Sequence, residues 1–390
     1  MNNLRNRLLV LFALFVFGQT AWAQFSGGNG TEAEPYQISS ETDWVTLCNN
    51  VNNNNSTYEG MFFKMMADIS VAETIGSNGT PAKMVGISEN VNFRGTFDGN
   101  GHTLTVNYTD NHDERACAPF RYIRNATIKN LRVAGSITKQ YNKNASGLVG
   151  VAFGTCHISN CHSSVEITCH ESDCSSGGFI GKLGTSSSSD DTYIDNCLFD
   201  GKLEGPSSHA WGGFIGWVED EPDAYISNCL FNPEHVYINS EGNKTFARGS
   251  DIHINNCYHT YTLVDAQGST KAKDMDREIL RMRLGEAWEH IGDKVQPALN
   301  PHALTVGDGT EQSPYLIASV EDWNKLATNV YLGESYNGAY FQMTQNISVG
   351  REVGYHPGGD TYNVFRGTFD GDGHTLTFNY TTDAEFCGPF

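Results

Sequence analysis

Cysteine and histidine side chains occur close together in the middle of the chain, where they could hold a metal ion. Thiolate sulfur and imidazole nitrogen at short spacing are ligands that zinc prefers. A disulfide between two of these cysteines, or a purely structural role, is the competing interpretation, and we favour it over a metal site. The candidate ligands are Cys156, His157, Cys169, His170 and Cys174.

Acidic side chains are the second group that could do chemistry. Polysaccharide lyases and hydrolases need paired carboxylates or basic residues that face one sheet. Asp200, Glu219, Asp220, Glu221 and Asp223 lie near predicted turns without a repeated register, so weak calcium binding or simple solvation is expected of them. The segment 97–102 pairs an acid with a histidine, but its Asp-Gly-Asn-Gly sequence is typical of a tight turn. We predict no catalytic residue there and no bound cofactor.

Two tryptophans, Trp211 and Trp217, flank a Gly-x-x-Gly sequence. An exposed indole can stack on a sugar ring, whereas a buried one belongs to the core. Both alternatives are open from the sequence, and these two residues are its candidate glycan-binding residues.

The first residues indicate export. Arg5 and Arg7 precede an apolar run at 8–17, and Ala21-Trp22-Ala23 supplies the small residues that a signal peptidase reads. This pattern predicts a signal peptide at 1–23 and a secreted or outer-membrane surface protein without later membrane insertion. The formal net charge of −20 argues against nucleic acid as a partner. The ten cysteines are compatible with disulfides in an oxidising compartment without requiring them.

A whole module is duplicated along the chain. The segment 30–38 returns at 309–317, and the segment 93–105 returns at 365–377 with nearly identical residues. We predict a first module at 24–264, a helical cap or linker at 265–300 and the start of a second module at 301–390. Because the second copy ends where the first begins its finer repeats, we expect it to be incomplete and to continue in a longer protein that carries the attachment signal.

A finer repeat of about thirty residues organises the first module. An Ile-x-Asn-Cys motif alternates with Gly-x-x-Gly motifs at 147–150, 178–181 and 213–216. A period of this length is typical of solenoids, in which stacked coils bury what one coil cannot. The pattern predicts an all-β fold, a right-handed parallel β-helix with short capping helices and a truncated second module. The predicted structural ladders are Asn130, Asn160, Asn196, Asn228 and Asn256 at one corner, and Cys161, Cys197, Cys229 and Cys257 as unbridged core residues.

Helical segments are predicted at three places. Ser40 with Asp43, and Ser319 with Asp322, match the first residues of a capped helix that would close the end of a solenoid. The segment 271–291 is charged and amphipathic, which predicts a third helix that closes or links the modules.

The glycine series together with the Ile-x-Asn-Cys motifs resembles the GLUG-motif repeats of bacterial surface proteins. The opening at 30–47 and 93–105 is similar to the N-terminal part of β-helix modules in secreted proteins of Bacteroidetes-type bacteria. The resemblance covers about 27–263 and 307–390. It implies adhesion and surface display, with glycans or host or bacterial surface proteins as partners. We therefore expect a non-catalytic, adhesin-like or glycan-binding scaffold, and a polysaccharide-active lyase or hydrolase is the alternative.

Overall fold

A computed structural model describes most of the chain after the predicted signal peptide. The described residues are 25–112, 116–141, 144–171, 176–184, 190–206, 210–220, 222–285, 287–291, 294–298, 304, 306–331, 334–350, 352–358, 361–378 and 388–390. The predicted signal peptide and Cys174 lie outside these residues.

The first module is a parallel β-solenoid, as the repeats predict. Its coils contribute strands to three sheets, which we name A, B and C, and every strand pair in these sheets is parallel. Sheet A is formed by Tyr36–Ile38, Phe62–Met65, Thr96–Asp98, Thr127–Lys129, Cys156–Ser159, Thr192–Asp195, Ala224–Ser227 and Ile252–Asn255.

Sheet B follows the corner after sheet A in each coil. Its strands are Ile69–Ile75, Thr103–Asp110, Arg132–Lys139, His162–Cys169, Leu198–Phe199, Lys202–Glu204, Leu230–Phe231, His235–Tyr237, Tyr258–His259 and Thr270–Lys271. Sheet C is formed by Phe120–Arg124, Val149–Phe153, Ile180–Leu183, Ile215–Val218 and Ala247–Gly249, and Ser176–Gly177 pairs with Trp211–Gly212 beside it.

The interior of the solenoid is built from columns of like residues. Ile128, Ile158, Ile194 and Ile226 are register partners on successive coils, and all four are buried. Each coil therefore covers the apolar side chains of the coil before it, which is how a short repeat acquires a core.

The glycine series lets neighbouring coils approach closely. A Cβ on Gly178 would lie 2.4 Å from the Gly213 carbonyl oxygen, and one on Gly213 would lie 2.0 Å from that of Thr245. Neither residue has a left-handed backbone. Glycine is therefore required at these positions because the coils lie close together, and not because the chain bends sharply.

Helix α1, Glu41–Asn54, covers the first coils. Ser40 caps it as the sequence predicts, because its hydroxyl accepts the Asp43 N–H at 3.2 Å. Trp44 on this helix is fully buried against Phe97 and Phe120. The apolar face of α1 thus joins the same core as the coils.

The segment after the last coil differs from the single helix predicted at 271–291. Helix α2 spans only Arg277–Leu284, and an antiparallel hairpin of Trp288–Ile291 and Lys294–Pro297 follows it. Gly285, at φ 108°, ends the helix, because few other residues adopt that backbone conformation. We name α2 and this hairpin the side cover, because they pack on Leu198, Leu230 and Tyr258 on the outer face of sheet B.

The second module repeats the opening of the first. It contains helix α3, Val320–Tyr331, a parallel sheet of Tyr315–Ile317, Tyr340–Met343 and Thr368–Asp370, and the pair Ile347–Val349 with Leu376–Phe378. A hairpin joins Tyr355–Gly358 to Thr361–Asn363. Ser319 caps α3 in the same way that Ser40 caps α1.

Candidate ligand-binding site

The asparagine corners set the register of every side chain on the solenoid surface. Asn130, Asn160, Asn196, Asn228 and Asn256 each follow a sheet A strand and adopt left-handed backbone angles, with φ between 47° and 52°. Asparagine tolerates this conformation better than other residues with a Cβ. Because the corner has the same shape in each coil, equivalent outward positions lie directly above one another.

The asparagine side chains do not form one continuous ladder. Asn256 Nδ2 donates to Asn228 Oδ1 at 2.8 Å, but Asn228 Nδ2 donates to Asp195 Oδ1 at 2.8 Å instead of to Asn196. Asn196 likewise donates to Asp195. The Asn196 and Asn228 side chains are half-buried rather than fully buried. The Asp195 carboxylate, on the outer surface, replaces a direct hydrogen bond between these two amides.

The cysteine column lies inside the same corner. Cys161, Cys197, Cys229 and Cys257 are buried free thiols. Each Sγ lies 3.0–3.3 Å from the carbonyl oxygen two residues earlier, so the thiol acts as a weak donor at the turn. Burial raises the pKa of the Cys161 and Cys229 thiols well above the ordinary value.

The candidate zinc ligands do not converge. Cys156 faces the core and donates to the Phe153 carbonyl, and Cys169 faces the core beside the Ser176 hydroxyl. His157 and His170 are exposed on the outer surface. Within the described part of the chain, no three histidine, cysteine or acidic side chains are grouped as a metal site.

The two tryptophans have different surroundings. Trp211 is 0% exposed, so it is a core residue and is ruled out as a sugar platform. Trp217 is half-buried, and the Arg248 guanidinium lies 5.2 Å from the centre of its ring. A ligand would have to share the Trp217 ring with this cation.

Three of the acidic candidates, Asp200, Glu219 and Asp223, are engaged by neighbouring side chains, whereas Asp220 is exposed and Glu221 lies outside the described residues. Asp200 lies 2.6 Å from His162 Nε2, and Glu219 pairs with Lys182. Asp223 accepts from the Tyr225 hydroxyl at 3.0 Å. His162 lies on the outer face of sheet B, in the same column as Leu198, and it is buried because the side cover packs on this column.

The Asp-Gly-Asn-Gly sequence at 98–101 forms a turn after the strand Thr96–Asp98, as predicted. Asn100 has a left-handed backbone, and its N–H donates to Asp98 Oδ1 at 2.8 Å. The Asp98 carboxylate therefore shapes the turn.

An aromatic column on the outer face of sheet A escaped the sequence analysis. The rings of His157, Tyr193, Tyr225 and His253 stack with centroids 4.9, 5.0 and 4.6 Å apart. A hydrogen bond to Asp191 raises the pKa of Tyr193, and one to Asp223 raises that of Tyr225. The rings occupy one another's faces, so this column offers mainly ring edges to solvent and is better suited to stabilising the stack than to holding a sugar.

The outer face of sheet B carries an open cavity of about 520 Å³ that was also missed. It lies where three successive coils end and is lined by Thr168, Cys169, His170, Lys202, Glu204, Gly205, Pro206 and Tyr237. This volume lies within the range of small-molecule sites. Of the predicted site residues, only Cys169 and His170 contribute to it.

Tyr237 is the prominent side chain of this cavity. It is 58% exposed, and Lys202 Nζ lies 5.4 Å from the centre of its ring. Lys202 also pairs with Glu204 at 2.5 Å, and this hydrogen bond raises the pKa of the lysine. The register of sheet B brings these residues together, because Lys202 is the partner of His235 and Glu204 is the partner of Tyr237. Together they offer an aromatic ring, a donor and an acceptor on one wall.

Known proteins are similar to parts of this chain. No family model matches this chain. A provisionally named Gly-rich membrane protein from Evansella cellulosilytica is 34% identical over 91 residues, which are 22% of this chain. The match covers 10% of that relative, so the chain spans only a small part of its length.

A solved structure is also similar to part of this chain. It belongs to a Bacteroides ovatus protein that is described as a candidate immunoglobulin A1 protease. The comparison covers 71% of this chain and 96% of that structure, with 17% sequence identity and a TM-score of 0.43. Among the described residues of this chain, no helix has both the length and the apolar character needed to cross a bilayer.

Proposed function

We propose that this chain is a secreted or cell-surface repeat protein that binds glycans without catalysis, as GLUG-type surface proteins of Bacteroidetes-type bacteria are expected to do. The cavity around Tyr237 carries the proposal. An exposed tyrosine ring can pack against the C–H face of a sugar, and neighbouring charged groups can bind its hydroxyls. A surface protein as the partner is the other form of the same adhesin-like role.

The charges in the cavity favour a neutral sugar. Lys202 and Glu204 already neutralise each other at 2.5 Å. A hydroxyl group can accept from the ammonium and donate to the carboxylate at the same time. An anionic or cationic ligand would have to disrupt this pair, so we propose neutral glycans as the ligand class, with binding that depends little on salt.

The polysaccharide-active alternative receives less support from the described residues. An enzyme of that kind needs two carboxylates, or an acid and a base, free to act on the same bond. Among the acidic candidates, Asp200 is paired with His162 and Glu219 with Lys182, so neither carboxylate is free for such a role. Among the described residues that line the Tyr237 cavity, Glu204 alone carries a carboxylate.

Substitution of the cavity tyrosine tests the proposal. Tyr237→Ala removes the exposed ring without opening the core. We expect a glycan that binds the wild-type chain to bind about two- to tenfold more weakly, since one aromatic contact contributes about 0.5–1.5 kcal/mol. Tyr261→Ala is the matched control, because Tyr261 is 48% exposed and is not part of the cavity lining. Titration calorimetry measures both. Equal affinity of the wild-type chain and Tyr237→Ala for that glycan would disprove the site.

A further inference from the structure

A lysine and an aspartate occupy core positions on neighbouring coils. Asp110 and Lys139 are register partners at the ends of adjacent sheet B strands, in an inward column that continues with Ile75 on one side and Cys169 on the other. The side chains of Lys139 and Asp110 are 0% and 1% exposed. The chain thus places both charges where the flanking coils have apolar residues.

The two groups are in direct contact. Lys139 Nζ lies 3.1 Å from Asp110 Oδ2, and Lys139 also donates to the backbone carbonyl of His112. The other carboxyl oxygen, Asp110 Oδ1, accepts the backbone N–H of His112 at 2.8 Å. The amine is therefore fixed beside one oxygen of the carboxyl group while an amide donor holds the other.

Burial makes the ionised pair costly to maintain. Removing an ammonium and a carboxylate from water costs several kcal/mol for each ion, which their attraction only partly offsets. In such a site, transfer of a proton from the amine to the carboxyl group yields two neutral groups in contact. A neutral amine is a nucleophile, and reactants held in position react as though at a concentration of about 10⁵–10⁸ M.

We infer that Lys139 and Asp110 condense to an intramolecular isopeptide bond that joins two coils of the solenoid. Lys139 Nζ attacks Cγ of Asp110 and forms the N–C bond, while the N–H of His112 stabilises the negative charge that develops on Oδ1. The bond from Cγ to Oδ2 then breaks, and Oδ2 leaves as water with two protons from the former ammonium group. One ammonium and one carboxylate thus give one amide and one water, and no oxidant or further reactant is needed.

A second lysine–aspartate pair in the same protein provides an internal control. Lys129 and Asp98 are also register partners on adjacent coils, but they face outward. Their side chains are 42% and 23% exposed, and the charged atoms are 3.9 Å apart. Water stabilises their ionised forms, so this pair should stay unlinked.

Peptide mapping of the full chain tests the inference. Trypsin cuts after lysine and arginine, so an unlinked chain gives the peptides 95–115 and 133–139. A linked chain gives 95–115 joined to 133–143, because trypsin does not cut after an acylated Lys139. The mass of this species is the sum of the masses of peptides 95–115 and 133–143 less one water. We expect this linked species and no species that joins 95–115 to Lys129. Recovery of free 95–115 and 133–139 from the folded, secreted chain would overturn the inference.

A variant assigns the bond to its residues. Lys139→Arg keeps a positive charge at this position but provides a guanidinium, which is a far weaker nucleophile than an amine. The linked species should be absent from this variant, and peptide 95–115 should appear alone. The digest is made after denaturation, so the peptides that trypsin releases do not depend on the stability of the variant. A species in Lys139→Arg that still joins 95–115 to another peptide with loss of one water would show that Lys139 is not the nucleophile and would refute the assignment.

Discussion

Asn228 shows how one residue type can set the shape of a coil. Its backbone is left-handed at φ 52°, its amide donates to Asp195, and its side-chain oxygen accepts from Asn256. The residue therefore has two separable roles. The backbone role requires tolerance of positive φ, and the side-chain role requires an amide that connects three coils.

Two substitutions at Asn228 separate these roles. Asn228→Gly removes only the side-chain bonds and should lower the free energy of unfolding by about 1–3 kcal/mol. Asn228→Ala should lower it by about 1–2 kcal/mol more, because alanine is strained in the left-handed conformation. Urea unfolding measures both, with the exposed Asn53→Ala as a control expected to change little. If the Asn228→Ala variant were as stable as Asn228→Gly, the fold would not require a left-handed backbone at residue 228.

The thiols provide a test of the core at the same scale. Seven cysteines are buried free thiols, and burial raises the pKa of one of them, Cys156, to about 11; the seven are Cys48, Cys117, Cys156, Cys161, Cys197, Cys229 and Cys257. Because a reagent must reach the sulfur atom, we expect these buried cysteines to resist a thiol-specific reagent at pH 8 in the native chain. All of them should react after unfolding without prior reduction, as mass spectrometry of the labelled peptides would show. Labelling of Cys197 or Cys229 only after reduction would instead reveal a disulfide in the column.

At the scale of elements, the side cover shields part of the outer face of sheet B from solvent. Trp288 is fully buried, and its Nε1–H donates to the Asn228 carbonyl at 3.1 Å. Asn256 donates to the Arg283 carbonyl of α2 at 2.8 Å. The cover is thus bound both through its apolar residues and through the asparagine corner.

Removal of the Trp288 ring tests the importance of the side cover. Trp288→Ala should destabilise the chain by about 3–5 kcal/mol, as is usual for a large aromatic residue in a core. Met282→Ala on the same helix is a suitable control, because Met282 is 61% exposed and should change stability by less than about 0.5 kcal/mol. Thermal unfolding followed by circular dichroism compares the two. A loss of similar size in both variants would contradict the packing of this segment.

The difference between the predicted helix at 271–291 and the observed element has a local cause. The apolar stripe that suggested one helix includes Leu280, Leu284 and Trp288, and all three are indeed buried. Gly285 breaks the helix between Leu284 and Trp288, and the chain then returns as a hairpin. Periodicity identified the buried face, whereas the helix end depended on one glycine.

For the whole molecule, the repeats were sufficient to predict the architecture. Residues such as Ile158, Asn160 and Cys161 recur with the same spacing inside each motif, and the structure stacks them. The outward columns could not be predicted in this way. His157, Tyr193, Tyr225 and His253 are of mixed type, and their neighbours along the chain vary, so only the strand register brings them together.

The Tyr237 cavity was hidden for a similar reason. Lys202, Glu204 and Tyr237 come from two coils, and His170 comes from a third. No short motif contains them. The register of sheet B pairs Glu204 with Tyr237, and this pairing locates the site. An alignment of whole coils with one another would therefore be needed to find it from the sequence.

The most direct test of the proposed function is a glycan array probed with the mature chain, with a turnover assay on the same sugars in parallel. The structure offers a ring, a donor and an acceptor in one cavity, and Glu204 supplies the one carboxylate among the described residues of its lining. We therefore expect retention on at least one class of neutral glycan, loss of that retention in Tyr237→Ala, and no product from any sugar. Cleavage of a glycan by the wild-type chain, or retention that Tyr237→Ala leaves unchanged, would contradict the account.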